Sequence, residues 1–307
     1  MQVPDIPIAR DFKEITRHGS TLFPIGVYKT QLSRNVLGYV PLHWHDEIQF
    51  CLVTKGFVSF TVNQSIYNIE EENGIFINSG YLHSAKPYNS ENKDSEYICF
   101  DISPNFLSGS SKNIIHEKYV EPFLKSSSNS AIALNTSIPW QKKVLYTLDN
   151  LFRVYINNEF GFELDMHSKL SSIWHLIITN TPDYIKEVNT NAFAENNRIK
   201  EMLSYIHQNY KQKIALDDVA KAANISRSEC CRFFKRMIKS TPFEYLISYR
   251  INQSMLLLKN SSLSITEIAE EVGFGSVSYY IEKFRKHTNY TPKEFRNYCI
   301  APSENAD

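Results

Sequence analysis

The chain of 307 residues is long enough for two ordinary domains, its 42% hydrophobic and 21% charged content is that of a globular protein, and no apolar run approaches a membrane span. Its zero net charge conceals a split: residues 197–298 hold 17 Lys and Arg against 10 Asp and Glu, residues 1–196 hold 16 against 21, and the tail adds Glu304 and Asp307. The rear therefore suits a phosphate-bearing partner and the front does not.

The first ten residues carry Pro4, Asp5 and Pro7 and lack a signal-peptide core. Five cysteines (Cys51, Cys99, Cys230, Cys231, Cys299) are odd in number and scattered without metal-ligand spacing, which predicts reduced thiols in a cytoplasmic protein. Residues 1–105 read as β. The clearest strands are 47–54, 57–62, 65–69, 74–77 and 97–102, with Lys55-Gly56 and Asn63-Gln64 as hairpin turns. Many short strands at this spacing predict a barrel or sandwich.

Within this stretch His43, His45, Glu47 and Gln49 alternate, so on one strand they would share a face, and His83 follows Gly74 at a spacing that could bring it to the same place. The pattern is similar to the two half-motifs of the cupin barrel. Metal-binding cupins hold a divalent ion with such residues, and imidazole plus carboxylate suits Zn, Fe, Ni or Mn. We read these five residues as a structural or organic-ligand site without a resident cofactor. The alternative is a metal-dependent cupin enzyme or metal sensor using His43, His45 and His83. Trp44, Phe50, Phe60, Phe76 and Tyr81 are read mainly as core.

Residues 106–186 begin as a polar, irregular stretch to 139 and then become helical. Val144, Leu148, Leu151 and Tyr155 lie at helical spacing in 140–157, as do Met166, Leu170, Ile173, Trp174 and Ile177 in 164–179. These helices either cap the barrel or form a dimer interface. Residues 187–197, rich in Asn, read as an interdomain linker.

From 198 onward one module occurs twice. Leu216, Val219, Ala220 and Ala223 share a helical face, as do Ile265, Ile268, Ala269 and Val272. Asn224 and Gly273 suit a left-handed helix end, and Ser226 and Ser276 suit the N-cap of a following helix. Phe234 matches Phe284, and Thr241-Pro242 matches Thr291-Pro292. This is a duplicated helix-turn-helix. On each second helix one face packs inward: Cys230, Phe233 and Phe234, then Tyr280 and Phe284. Arg227, Ser228, Cys231, Arg232 and Lys235 face out in the first copy. Ser276, Val277, Ser278, Ile281, Glu282 and Arg285 do so in the second. Such helices fit the major groove, where Arg232 could pair with guanine, Glu282 could accept from cytosine, and Val277 or Ile281 could touch a thymine methyl. Lys235, Arg236, Arg285 and Lys286 are read as phosphate contacts.

The runs Gly273-Phe274-Gly275-Ser276, Ser278-Tyr279-Tyr280, Phe284-Arg285-Lys286 and Thr291-Pro292-Lys293-Glu294-Phe295-Arg296 carry a resemblance to the DNA-binding domain of AraC/XylS-type transcription regulators. It covers residues 198–298 and leaves 299–307 as a tail. One departure is Asn289, where that family usually has Gly. The resemblance implies two helix-turn-helix units joined by a long helix, here about 243–259, and a sensor cupin in front. The expected fold is therefore α+β with two domains: an N-terminal cupin-like β-barrel followed by helices, and a C-terminal all-α domain. The implied protein is no enzyme. It is a sequence-specific regulator, an activator by family habit, whose partners are double-stranded DNA, RNA polymerase, a second copy in a homodimer and a small-molecule effector.

Overall fold

Strand β3 (Ile48–Lys55) shows what organises the front of the molecule. Its first six residues are all buried, because both of its faces are covered. Ile48, Phe50 and Leu52 point one way, into a core shared with two long helices; Cys51 and Val53 point the other way, into a core between two sheets. The computed structural model describes residues 6–9, 11–109, 112–126, 130–182 and 190–300, and the chain divides into two units, 1–197 and 198–307. Among the described residues no helix is long and apolar enough to cross a membrane.

Among the described residues the front unit has nine strands in two antiparallel sheets. Strands β1 (Ile25–Gln31), β3, β6 (Gly74–Ile77), β8 (Glu96–Ile102) and β9 (Ala131–Leu134) form a five-stranded sheet in the order β1-β8-β3-β6-β9. Strands β2 (Val40–His43), β4 (Phe57–Val62), β5 (Ser65–Glu70) and β7 (His83–Pro87) form the second, ordered β2-β7-β4-β5. The hairpins turn where expected, with Gly56 at φ +78° and Asn63 at φ +49°. Four strands escape the sequence reading. β2 carries Pro41 at a sheet edge, where a missing N–H is tolerated, and β7 is too polar for a strand pattern. β1 has the right composition but lies outside the stretch where the apolar alternation is read. β9 lies inside the stretch expected to be irregular, a correction: it pairs Ala131–Leu134 with Ile77–Gly74 and completes the sheet edge.

After the short helices α1 (Pro104–Ser108) and α2 (Glu121–Lys125), α3 (Pro139–Asn157) and α4 (Phe162–Asn180) cover the outer face of the five-stranded sheet. Val144, Leu148, Leu151, Met166, Leu170, Ile173, Trp174 and Ile177 are buried there with Phe50, Phe76 and Phe100. The apolar stripes that marked these helices are thus consumed by the barrel. Left-handed Asn158 (φ +49°) ends α3 and Gly161 (φ +90°) precedes α4. The expected linker needs correcting. Residues 187–189 lie outside the described set, but 190–197 are helical, within α5 (Thr190–Asn209). Asn196, read as linker, is 4% exposed and donates Nδ2 to Gly80 O at 2.8 Å. The Asn content reads as a linker, whereas Asn196 makes a tertiary hydrogen bond from within a helix.

The rear unit is helical throughout its described residues. α6 (Leu216–Ala222) and α7 (Arg227–Ile238) form the first module, α8 (Pro242–Asn260) the long connection, α9 (Ile265–Glu271) and α10 (Val277–Thr288) the second module, and α11 (Pro292–Ile300) follows. Caps start these helices as their sequences dictate. Ser226 and Ser276 accept from Glu229 N and Tyr279 N. Thr241 and Thr291 each sit in a reciprocal pair with the Glu three residues on, Glu244 and Glu294, before Pro at the first helical position. Each such cap is worth about 1 kcal/mol.

Candidate functional site

The front unit encloses a small cavity between its sheets, about 30 Å³, whose walls include the polar Glu14, Tyr28, His43, Gln49, His83 and Asp101 beside the apolar Val40, Phe60 and Ala85. His43 and His83 are cross-strand partners on β2 and β7. His45 and Glu47 fall in the crossing between β2 and β3, so the four alternating residues do not share one strand face. His43, His45 and His83 are 2–3% exposed and Gln49 7%, whereas the Glu47 side chain is 24% exposed, with Oε2 3.6 Å from His45 Nδ1. The structure therefore brings the five expected residues together, with Glu47 against His45.

Four further residues complete this cluster. Glu14 and His18 enter from the N-terminal segment, which is held by Glu14 N→Trp44 O at 2.8 Å and Trp44 N→Phe12 O at 2.9 Å. Asp101 on β8 accepts from Gln49 Nε2 at 2.7 Å, and Tyr28 on β1 lies 3.1 Å from His18 Nδ1 through its hydroxyl. Glu14 and His18 sit in no recognisable motif; Asp101 is visible only as a polar residue in an apolar strand. Charge is balanced internally. Burial alone would lower the His18 pKa, but Glu14 at 3.7 Å and Asp101 at 3.5 Å outweigh it and lift it to about 9. Burial pushes Asp101 up to about 7, against the pull of His18. Glu14 is opposed by burial, yet His18 and His43 bring its pKa below the usual carboxylate range. Burial holds His43, His45 and His83 below the ordinary imidazole value, so these three are neutral.

The neutral trio has fixed tautomers. His43, His45 and His83 each direct Nδ1 at a backbone carbonyl, of Pro41 (2.8 Å), Glu47 (3.1 Å) and Tyr81 (2.8 Å). A carbonyl only accepts, so Nδ1 carries the proton and Nε2 presents a lone pair. One nitrogen from each ring lies within 4.8 Å of the others, an arrangement able to ligate a cation.

In the rear unit the two second helices present matching faces. Cys230, Phe233, Phe234 and Met237 are buried on α7, and Tyr280 and Phe284 on α10. Arg227, Ser228, Arg232, Lys235 and Arg236 are exposed and Cys231 is partly so. On α10 Ser276, Ser278, Glu282, Arg285 and Lys286 are exposed, and Val277 and Ile281 are half-buried. Several are pre-positioned: Arg236 lies over the Phe233 ring at 5.3 Å, and Glu282 is held by Lys283 Nζ at 2.9 Å. Ser276 is first of all the α10 cap.

One feature of this unit has no counterpart in the motif reading. Arg250 on α8 is 8% exposed and donates Nε to Tyr210 O at 2.7 Å and Nη2 to Gln212 O at 2.8 Å. Its guanidinium lies 5.8 Å from the Phe274 ring centroid, and Lys211 pairs with Glu271. The loop before the first module is thereby tied to the turn of the second. Only an inward cation in a mostly apolar helix, Arg250 itself, could have signalled it.

Two family models match: an AraC-like ligand binding domain over residues 34–170 and a helix-turn-helix domain over residues 219–298. The chain is 38% identical over 289 residues to an uncharacterized HTH-type transcriptional regulator, YdeC, of Bacillus subtilis, covering 94% of this chain and 97% of that one. It is 23% identical over 256 residues to the melibiose operon regulatory protein of Escherichia coli, covering 83% and 82%. Among solved structures, an AraC-type transcriptional regulator from Chromobacterium violaceum matches 36% of this chain and 98% of its own at 29% identity and a TM-score of 0.34. The chain belongs to the AraC family of helix-turn-helix transcription regulators, with an N-terminal ligand-binding domain and a C-terminal DNA-binding domain.

Proposed function

We propose that this regulator reads a bipartite DNA site, with α7 and α10 entering successive major grooves, under control of an effector held in the front cavity. The observation that carries the first half is the repetition of an exposed cationic face, Arg232, Lys235 and Arg236 on α7 and Arg285 and Lys286 on α10, on helices whose opposite faces are buried. Arg232 reads a base, Glu282, Val277 and Ile281 contribute in the second groove, and the remaining cations grip phosphate. Its action as an activator that contacts RNA polymerase follows from the family resemblance. A homodimer is supported by an exposed apolar group at the α3–α4 turn, Ile156, Phe160 and Leu164.

Selection of bound DNA from a random pool by full-length protein tests the reading. Two short enriched boxes about one helical turn apart are expected. Arg232→Ala should relax preference at one base pair and cost roughly 1–3 kcal/mol. Unchanged selectivity in that variant would remove Arg232 from the base-reading set.

A further inference from the structure

The two modules of the rear unit are joined by α8, whose 19 residues span about 28 Å. A joining helix alone leaves the second module free to tilt about the end of that helix. A tilt of about 10° over that lever would move α10 by about 5 Å, or about one and a half base pairs. Reading the spacing between two boxes therefore requires a second tie between the modules. Three features supply it at one seam, where residues 210–212, just before the first module, meet residues 271–274, at the turn of the second. Arg250 is 8% exposed and donates Nε to Tyr210 O at 2.7 Å and Nη2 to Gln212 O at 2.8 Å, with the Phe274 ring centroid 5.8 Å from its guanidinium. Lys211 pairs with Glu271, the last residue of α9. Gly273 lets the loop main chain come so close that an added Cβ would stand 2.7 Å from Tyr210 O. Of the three, the guanidinium holds most firmly. Its planar fork bonds two carbonyls at once and so fixes orientation as well as distance, which the point charge of a lysine cannot do.

We infer that Arg250 is a positioning residue for DNA reading: by locking the 210–212 loop onto the 271–274 turn, it sets the spacing at which α7 and α10 accept their two boxes. This rests on the bipartite reading of DNA. Being buried, Arg250 acts through these two segments and not on DNA itself. Spacing is thus assigned to a residue outside both recognition helices, while base choice within each box stays with α7 and α10. The two properties separate by mutation.

The test uses full-length protein and duplexes that carry its two selected boxes, either with the selected spacer or with spacers shorter or longer by single base pairs. The parent should lose about tenfold or more in affinity for each base pair of change, because a rigid second module no longer meets its box. Arg250→Met should bind the selected spacer about tenfold more weakly and distinguish spacers by about threefold or less. Base substitutions inside either box should cost it the same fold-change as the parent. A defect of folding alone would instead weaken every duplex by one factor and leave the spacer preference intact. Arg250→Lys keeps the charge but not the fork, and should behave as Arg250→Met does. Glu271→Lys breaks the ion pair of the same seam at a side chain 48% exposed, and should also relax the spacer preference. It carries the test if the Arg250 variants lose the parent's circular dichroism spectrum. Undiminished spacer preference in Arg250→Met, or in Glu271→Lys where the Arg250 variants do not fold, overturns the inference, as does a parent that accepts all spacers equally. Strict spacing in Arg250→Lys overturns the role of the fork. A parent that selects no second box overturns the bipartite reading itself.

Discussion

Gly273→Ala is expected to damage the rear unit far more than the matched change in the first module, and the structure says by how much. Gly273 and Asn224 occupy equivalent turns, at φ +88° and φ +53°. A Cβ on Gly273 would stand 2.7 Å from both Tyr210 O and Lys211 O and 2.9 Å from Lys211 C. Backbone cannot rotate away as a side-chain tip can, and Tyr210 O is held by Arg250 Nε at 2.7 Å. Relief requires the loop to retreat by a few tenths of an ångström and loosens that charge-assisted bond, worth about 1.5–3 kcal/mol. Left-handed strain in Ala adds about 1 kcal/mol. The total is about 2.5–4 kcal/mol, against about 1 kcal/mol for Asn224→Ala, where conformation alone is lost. Gly273→Asn separates the two causes. Asn tolerates a left-handed backbone, so a purely conformational role predicts rescue, and the steric role predicts none. Urea unfolding followed by helical circular dichroism measures these differences; the three tryptophans, Trp44, Trp140 and Trp174, lie in the front unit and report its unfolding separately. A Gly273→Asn variant within about 1 kcal/mol of the parent would refute the reasoning.

Other expectations follow from individual side chains. His207, 4% exposed, stacks 3.6 Å from Tyr249 and lies 3.0 Å from the Tyr245 hydroxyl, and burial holds its pKa well below 6.5. The unfolded chain therefore takes this proton first as pH falls: the stability contribution is complete above 6.5 and erodes below it toward the folded value. The parent should lose about 1.4 kcal/mol more than His207→Phe between pH 7.5 and 5.5 in urea titrations, and equal losses would contradict the assignment. Lys286→Ala, as a phosphate contact, should weaken all DNA sequences alike and reduce the slope of log affinity against log salt by about 0.9, whereas a sequence-selective loss would move it to the base-reading set. Phe160→Glu should shift light-scattering mass from dimer to monomer without changing the circular dichroism spectrum, and an unchanged mass would remove the α3–α4 turn from the interface.

The rear unit was largely legible because its signals are local. Ser226, Thr241, Ser276 and Thr291 each cap a helix whose first turn follows within three residues, and the αL positions Asn224, Gly273 and Asn289 end helices directly before them. The duplication doubled every such signal. The front unit was legible in its apolar hairpins, Phe57–Val62 with Ser65–Glu70, and illegible where strands are polar or at an edge, as in His83–Pro87 and Ala131–Leu134. Its cavity shows the same division. His43, His45 and His83 declare themselves by spacing. Glu14 and His18 do not, because only the backbone bonds between Trp44 and residues 12–14 bring them there.

Matched positions in the two modules also carry different chemistry, and the differences track the surroundings rather than the motif. Ala215 stands where Ser264 caps the second module, yet its N–H is still satisfied, by Asp218 Oδ2 at 3.1 Å. Half of the reciprocal cap is enough because α6 is packed on α7 through Val219 and Ala220. Lys239 and Asn289 both end their second helices left-handed, at φ +62° and φ +65°. Lys gains nothing from that conformation and bears about 1 kcal/mol of strain, partly offset by placing a cation at the C-terminal end of α7. Asn224 and Gly273 divide likewise. The first turn faces open space and accepts a side chain, and the second receives the Tyr210–Lys211 backbone and accepts none. The duplication thus supplies two modules of one design, and the contacts of Arg250 with Tyr210, Gln212 and Phe274 tie the loop before the first to the turn of the second.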